Sequence, residues 1–331
     1  MTPKPLRTVQ DLRAVSAAYR ESLILLTANR LGLFELLEQL QPVSASDVAA
    51  HSRLSLRGVE ILLDALVALG LVEKNGGEYS NSSLAKTALV PGSPEYLGNI
   101  LDHNLHLLSR WIRLPEVVRT GKPAPRDDPE RSFRAFILGM GDVARRGAKQ
   151  LLRAYRFDGV HTLLDLGGGP GVYAAEICAA YPDIRATVFD VPQTREMAEA
   201  TFARYGLQER MRFLGGDYLT DDYSGPYDAI LMSSIIHSLG EKEINLLLDR
   251  CFGALKGGGQ LLIRDFFLDE SRTEPAANAV FAVNMLVATE SGRCYTWSEV
   301  SNWLQRAGFQ QPRQLWLEEP LRAGLLVGTK P

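Results

Sequence analysis

The sequence predicts an α/β protein: a doubly wound parallel sheet ending in an antiparallel hairpin, preceded by an N-terminal all-α, winged-helix-like region. Three observations carry that prediction. From about Asp158 onward, short apolar runs rich in strand formers alternate with helical stretches, the order of a sheet wrapped by crossover helices. Before that point the chain reads as helix after helix with one short hairpin. Between the first apolar run and the helix after it lies "DLGGGPG", a glycine loop at the carboxyl end of a strand, where such sheets bind ligands.

Composition sets the outer limits. At 331 residues two domains are expected, and 46% hydrophobic against 23% charged residues suffices for buried cores. The net charge of −3 offers no bulk attraction for nucleic acid or an anionic membrane. No apolar run approaches the roughly 20 residues that span a bilayer, and "MTPKPLRTVQDLRAV" lacks the apolar core of a secretory signal. Cys178, Cys251 and Cys294 are odd in number and form no C-x-x-C, so neither a disulfide framework nor a zinc site is expected. A reducing, cytoplasmic setting is the expectation.

In the N-terminal half, residues 11–40 carry apolar residues at helical spacing, with Leu23, Leu26, Ala28 and Leu31 near one face. Ser44, three before Asp47, has the spacing of a capping box. "LRGVEILLDALVALGLV" is a strongly apolar helix stopping near Gly70, and "VEKNGGEYSNSS" sets an Asn-Gly-Gly turn between extended pieces, a hairpin signal. Helix, helix, hairpin is the order of a winged helix-turn-helix. A DNA-reading helix needs exposed basic or amide side chains. This one offers Arg57 against Glu60 and Asp64, while Ile61, Leu62, Leu63, Leu66, Val67 and Leu69 make it apolar on most faces. Burial within a domain or against a partner chain is expected instead.

From Pro94 to about Tyr155 the chain stays helical, broken by the loop "TGKPAPRDDPE". Its helices mix apolar residues with His103, His106, Trp111, Phe136 and Met140, which suit either the walls of a pocket for a flat apolar substrate or ordinary core packing. The two histidines lack a third partner, so no metal site is expected.

The later strands are "HTLLDLG", "RATVFDV", "RMRFLGGD", "YDAILMSS" and "GQLLIRDFF", with helices such as "GVYAAEICAAY" and "EKEINLLLDRCFGAL" between them. "PRQLWLEEP" and "RAGLLVGTKP" form the terminal hairpin. The glycine loop discriminates among ligands. A phosphate-cradling Walker loop needs Gly-Lys-Ser or Gly-Lys-Thr, which is missing here. The dinucleotide fingerprint needs a glycine where Val172 stands. What remains is Gly167, Gly169 and Gly171 at alternate positions after Asp165, backbone that turns sharply and approaches a ligand closely. S-adenosylmethionine (SAM) carries no phosphate but does carry a cationic amine, which suits Asp165. Asp190, closing the second strand, is placed to accept ribose hydroxyls, a task common to NAD and SAM sites.

"DLGGGPG", "FDVP", "GGDYL" and "IIHSL", in that order, resemble the SAM-dependent O-methyltransferase family that includes the plant caffeate and flavonoid enzymes, bacterial polyketide O-methyltransferases and acetylserotonin methyltransferase. "LLTANRLGLFELL" and "LLDALVALGLVEKNGGEYSNSSLA" resemble that family's dimerisation domain. The resemblance implies a homodimer joined by N-terminal helices, with SAM as cofactor and a small-molecule acceptor. It implies a winged-helix dimerisation domain over 1–100, linker and pocket helices over 101–155 and a SAM-binding catalytic domain over 156–331. By similarity, Gly167, Gly169 and Gly171 pass the methionyl part of SAM, Asp190 holds the ribose, Asp217 accepts from the adenine amino group and Tyr218 lies beside the adenine ring. Ser233 stands where plant members carry a cofactor-contacting lysine.

His237 is the implied general base. A phenol, with a pKa of about 10, is mostly protonated near pH 7, and a neutral imidazole takes its proton as attack proceeds, a gain on the order of 100- to 10,000-fold. Asp265 occupies the place of the family carboxylate that orients this histidine. Asn284 and Met285 match a segment lining the acceptor pocket, with Phe281, Phe136 and Met140 as apolar walls. Two positions depart from the plant pattern: Cys294 falls where those members carry a glutamate, and Ser238 replaces the aspartate after the histidine. The leading expectation is an O-methyltransferase acting on a hydroxyl of a small aromatic metabolite. A C-methyltransferase or non-methylating SAM-binding enzyme on the same scaffold is the alternative, told apart by its product. A SAM-responsive winged-helix regulator is the alternative of another class, told apart by salt-sensitive DNA binding.

Overall fold

The structure, a computed structural model, describes residues 4–93, 95–317 and 323–331. The chain divides into two compact units, one of residues 5–109 with 127–142, the other mainly of residues 110–126 with 143–331. Among the described residues no helix is long and apolar enough to cross a membrane.

The first unit contains α1 (Val9–Ala17), α2 (Tyr19–Arg30), α3 (Leu33–Leu40), β1 (Val43–Ser44), α4 (Ala45–Ser52), α5 (Leu56–Ala68), β2 (Val72–Asn75), β3 (Glu78–Asn81) and α6 (Ser83–Ala88). Side-chain caps start four of these helices. Thr8 and Asp11 close a full capping box on α1, and Ser44, Ser55 and Ser82 each accept a backbone N–H at α4, α5 and α6. Ser44 makes half of the expected box: it accepts the Asp47 N–H at 3.2 Å, but its hydroxyl donates to Asp47 Oδ2 at 2.6 Å, so that carboxylate does not reach back to the cap N–H. Gly76 and Gly77, at φ +57° and +91°, make the predicted hairpin turn between β2 and β3. β1 adds a third strand in the order β1-β3-β2; its two residues are too few to show a period in sequence.

Phe34, Leu37, Val48, Leu63 and Leu66 form the core of this unit. On α5, Val59, Leu63 and Leu66 are buried in this unit, while Ile61 is 57% exposed, on a side that the sequence reading left to a partner chain. One expectation is corrected. Leu31 leaves the face predicted for it because α2 stops at Arg30 and Gly32, at φ +68°, turns the chain into α3.

α7 (Gly98–Trp111), α8 (Leu114–Thr120) and α9 (Pro129–Ala154) follow, and the boundary between the units falls within α7 and α9. Pro94, where the sequence predicts this helical stretch to begin, lies outside the described residues. The run read as one helix up to Val118 breaks between α7 and α8, where Pro115 occupies the first turn of α8.

The second unit continues with β4 (Thr162–Leu166), α10 (Val172–Ala180), β5 (Arg185–Asp190), α11 (Arg195–Tyr205), β6 (Met211–Gly215), β7 (Tyr227–Ser233), α12 (Glu241–Ala254), β8 (Leu255–Asp265), α13 (Ala276–Ala288), α14 (Trp297–Arg306), β9 (Gln310–Trp316) and β10 (Gly324–Thr329). Among the described residues seven strands form one sheet, ordered β6-β5-β4-β7-β8-β10-β9. The first five run parallel, and β10 pairs antiparallel with both β8 and β9, completing the predicted terminal hairpin. Residues 318–322, part of the stretches read as that hairpin, lie outside the described residues.

Both faces of the sheet are covered. Leu163, Val188, Leu231 and Leu262 pack with Ala148, Leu151 and Ala174, while Leu164, Phe189, Ile230 and Ile263 pack with Leu247, Leu248 and Leu304. Strands buried on two faces read as continuous apolar runs, which is why they stood out in the sequence. The parallel strands aim their carboxyl ends at a common edge, where the glycine loop, Asp190, Asp217, Ser233, His237 and Asp265 lie.

Candidate functional site

The glycine loop follows β4 directly. Gly167, Gly169 and Gly171 adopt φ of +66°, +52° and +71°, a left-handed region that an L side chain adopts at a cost. A Cβ on Gly171 would lie 2.9 Å from Phe202 and 3.1 Å from Val188, so this glycine lets the start of α10 close onto the sheet. Gly169 faces open space, with nothing within 4 Å of an added Cβ. Its N–H donates to Asp190 Oδ2 at 2.7 Å, tying the loop to the end of β5.

The acids around the loop are unusually placed. Asp165 is 1% exposed; its Oδ2 accepts the Ala174 N–H at 3.2 Å, and its Oδ1 has no partner. Burial pushes its carboxyl up to about 7, against the Ala174 N–H and with a further push from Asp190. Asp190 is also raised by burial, opposed by the N–H groups of Gly169 and Val191. Asp217 lies exposed after β6, its Oδ1 accepting the Leu219 N–H at 2.8 Å. Tyr218 is half-buried, and burial raises its phenol. Ser233 ends β7 with a buried, unpartnered Oγ. A glycine cradle with room at Gly169 and a buried carboxylate oxygen awaiting a donor fit the cationic methionyl end of SAM.

A single 3-10 turn after β7, Ile236–Ser238, carries His237. Ser234, at φ +61°, bends the chain into that turn, and Arg264 fixes it by donating to Ser234 Oγ at 2.8 Å. His237 Nδ1 lies 2.6 Å from Asp265 Oδ1 at the end of β8, and the His237 N–H reaches Asp265 Oδ2 at 3.4 Å. Burial alone would raise the Asp265 carboxyl. The His237 ring beside it, joined by the Phe266 N–H, outweighs burial and holds it below the usual carboxylate range. His237 Nε2 has no protein partner among the described residues, and the ring is flanked by Phe281 at 5.1 Å, edge-on, and Phe266 at 5.7 Å. The histidine is thus oriented at one ring nitrogen and free at the other, between two aromatic rings.

Asn284 and Met285 lie on α13. Asn284 Oδ1 accepts the Trp111 indole N–H at 3.0 Å, and Met285 is buried. Phe136 and Met140 lie on α9 in the other unit, where Phe136 is 41% exposed and packs at 5.4 Å from the His103 ring. Cys294 is buried near Asp265, and burial pushes its thiol up to about 12, so it supplies no acid or base near neutral pH. The sequence reading missed three contributors. Arg264, a charge inside the apolar run "LLIRDFF", was the visible signal for one. Phe266 is another, and Gly292 the third, for its missing Cβ makes room for the His237 carbonyl.

Comparison with known proteins places the chain in a family. A family model of the O-methyltransferase domain matches residues 121–310, and one of the O-methyltransferase dimerisation domain matches residues 14–91. A 3-hydroxy-5-methyl-1-naphthoate 3-O-methyltransferase from Streptomyces sahachiroi is 33% identical, over 92% of this chain and 91% of its own. A tetracenomycin polyketide synthesis 8-O-methyltransferase from Streptomyces glaucescens is 32% identical over the whole of both chains, 100% of each. The crystal structure of human N-acetylserotonin methyltransferase in complex with SAM superposes with a TM-score of 0.86 at 27% identity, over 100% of this chain and 99% of that one.

Proposed function

This chain belongs to the SAM-dependent O-methyltransferase family, and on that premise we propose that it methylates a hydroxyl of a small aromatic metabolite with His237 as general base. The observation that carries the proposal is the 2.6 Å bond from His237 Nδ1 to Asp265, which leaves Nε2 free between two aromatic rings. SAM, when bound, supplies a methyl group made electrophilic by its sulfonium centre. Gly167, Gly169, Gly171 and Asp165 hold the methionyl part, Asp190 the ribose, and Asp217 and Tyr218 the adenine, with Ser233 beside them.

His237 Nε2 takes the acceptor's hydroxyl proton as the oxygen attacks, and Asp265 steadies the imidazolium that forms. Phe266 and Phe281 exclude water and offer faces to an aromatic acceptor. Trp111 fixes Asn284 by its Oδ1, leaving the Asn284 N–H groups to orient the acceptor. Met285 supplies an apolar wall. The naphthoate and acetylserotonin named for the relatives support an aromatic acceptor.

The test is turnover of methyl-deuterated SAM against hydroxylated naphthoates and other phenolic acids, with products read by mass spectrometry. A deuterated methoxy group is expected. A C-methyl product, or acceptor consumption without methyl transfer, favours the alternative chemistry on this scaffold. His237→Ala is expected to bind S-adenosylhomocysteine (SAH) normally and lose about 100- to 10,000-fold in kcat; unchanged turnover removes the base from the mechanism.

A further inference from the structure

Three buried polar atoms without a partner gather at one edge of the sheet: Asp165 Oδ1, Ser233 Oγ and Arg264 Nε. They stand on β4, β7 and β8, which are neighbours, toward the carboxyl ends. Register puts them on one face. Asp165 is level with Leu231, Leu231 with Leu262 and Ser233 with Arg264, so Ser233 and Arg264, two residues further along, point to the same side as Asp165. A carboxylate, a hydroxyl and a guanidinium on neighbouring strands, each with one buried atom left unpartnered, mark a ligand site.

Arg264 carries the argument. It is 7% exposed, and no carboxylate lies within ion-pair distance of it among the described residues. Its Nη1 donates to Ser234 Oγ at 2.8 Å, and its guanidinium lies 5.7 Å from the Tyr173 ring centroid and 5.5 Å from that of Phe266. The neighbouring Asp265 carboxylate attracts it through space but is hydrogen-bonded to His237, so aromatic faces and one hydroxyl are its only contacts among the described residues and leave Nε of the buried guanidinium unpartnered. Tyr173 precedes Ala174, whose N–H holds Asp165, so the first turn of α10 joins the acidic and basic members of the cluster.

We propose that Arg264 is the counter-ion of the α-carboxylate at the methionyl end of the cofactor, with Asp165 taking the α-ammonium and Ser233 between them. The three side chains are a receptor for an amino-acid zwitterion, which is the part of SAM that the glycine loop alone does not neutralise. A planar guanidinium suits a carboxylate because its fork can donate two parallel hydrogen bonds. The proposal rests on SAM being the cofactor and assigns the residue that reads its charged end.

Calorimetry with two ligands tests it: SAH, and its decarboxylated analogue S-adenosyl-3-thiopropylamine, which keeps the ammonium and lacks the carboxylate. Arg264→Met is expected to weaken SAH by about 10- to 100-fold and the analogue by less than about threefold. Arg264→Lys keeps the charge without the fork and is the second variant should the first not fold; it is expected to weaken SAH alone, by about 3- to 10-fold. Equal weakening of both ligands assigns Arg264 to packing and overturns the proposal, as does unchanged SAH affinity in either variant. If the wild type binds neither ligand, the cofactor site itself has been misread, and the proposal falls with it.

Discussion

His237 Nδ1 and Asp265 Oδ1 lie 2.6 Å apart, and that bond decides which ring nitrogen can act. Asp265 is buried with its carboxyl held below the usual range, so it is charged and only accepts. The proton therefore sits on Nδ1, and Nε2 keeps its lone pair. Asp265→Asn places an amide N–H toward Nδ1 and favours the opposite tautomer. We expect kcat to fall by about 100- to 10,000-fold with SAH affinity held within about threefold, as wrong-tautomer variants of His–Asp pairs behave elsewhere. Rapid-quench single turnover checks it; a loss confined to SAH binding would assign Asp265 to the cofactor instead.

Asp165 links the cofactor site to pH. Its folded-state carboxyl is pushed up to about 7, whereas an unfolded aspartate titrates near ~3.9. The folded protein therefore holds this proton more tightly, and stability declines as pH rises from about 4 to about 7, by an amount on the order of a few kcal/mol. A bound ammonium favours the ionised form. SAH binding should then release a proton and strengthen with pH across the same window, levelling above it. Calorimetry in buffers of different ionisation enthalpy reads the release directly. Asp165→Asn is expected to abolish both slopes, and persistence of the binding slope in that variant would separate Asp165 from the ligand.

Two glycines of one loop are expected to respond differently to the same substitution. Gly171 and Gly169 both adopt left-handed φ, which costs an alanine about 1–2 kcal/mol. At Gly171 the new methyl also lies 2.9 Å from Phe202 and 3.1 Å from Val188, adding an overlap of about 1–3 kcal/mol. At Gly169 it meets nothing, so Gly169→Ala should stay within about 2 kcal/mol of the wild type and lose SAH affinity where the ligand passes the loop. Urea melts with matched m values compare them. Equal destabilisation would mean that the helix start, not close packing, sets the glycine at 171.

Much of this was legible in the sequence for a physical reason. Leu163, Ile230 and Ile263 lie in strands enclosed on both faces, and such strands leave unbroken apolar runs; the glycine loop announces itself by composition. The pairing of His237 with Asp265, 28 residues apart, needed only that β7 and β8 be neighbours. Arg264 was visible as a charge among apolar residues, but its meaning depended on the register that sets it level with Ser233. Gly292 gave no local signal, because its closeness to the His237 carbonyl is a tertiary contact. Which side of α5 meets the unit's own core was not legible, because near-uniform apolarity hides which face is covered.

The last expectation concerns assembly. α1 has no buried residue, yet Val9, Leu12 and Val15 recur on it at helical spacing with Tyr19 following, and these four are 70%, 56%, 56% and 54% exposed. A helix whose apolar side chains meet only water is held in place by something outside the chain's own core. The dimerisation-domain match at residues 14–91 begins within this helix, and a second copy is the occupant we expect. Light scattering at about 10 μM, above the dissociation constant of an ordinary apolar dimer interface, should return the mass of a dimer. Leu12→Glu with Val15→Glu places two like charges in the seam without touching the core, so the variant should fold and return a monomer. A wild-type monomer would sink the homodimer outright. A variant that stays dimeric would move the interface off α1 and onto another exposed apolar face, such as that around Ile61 on α5.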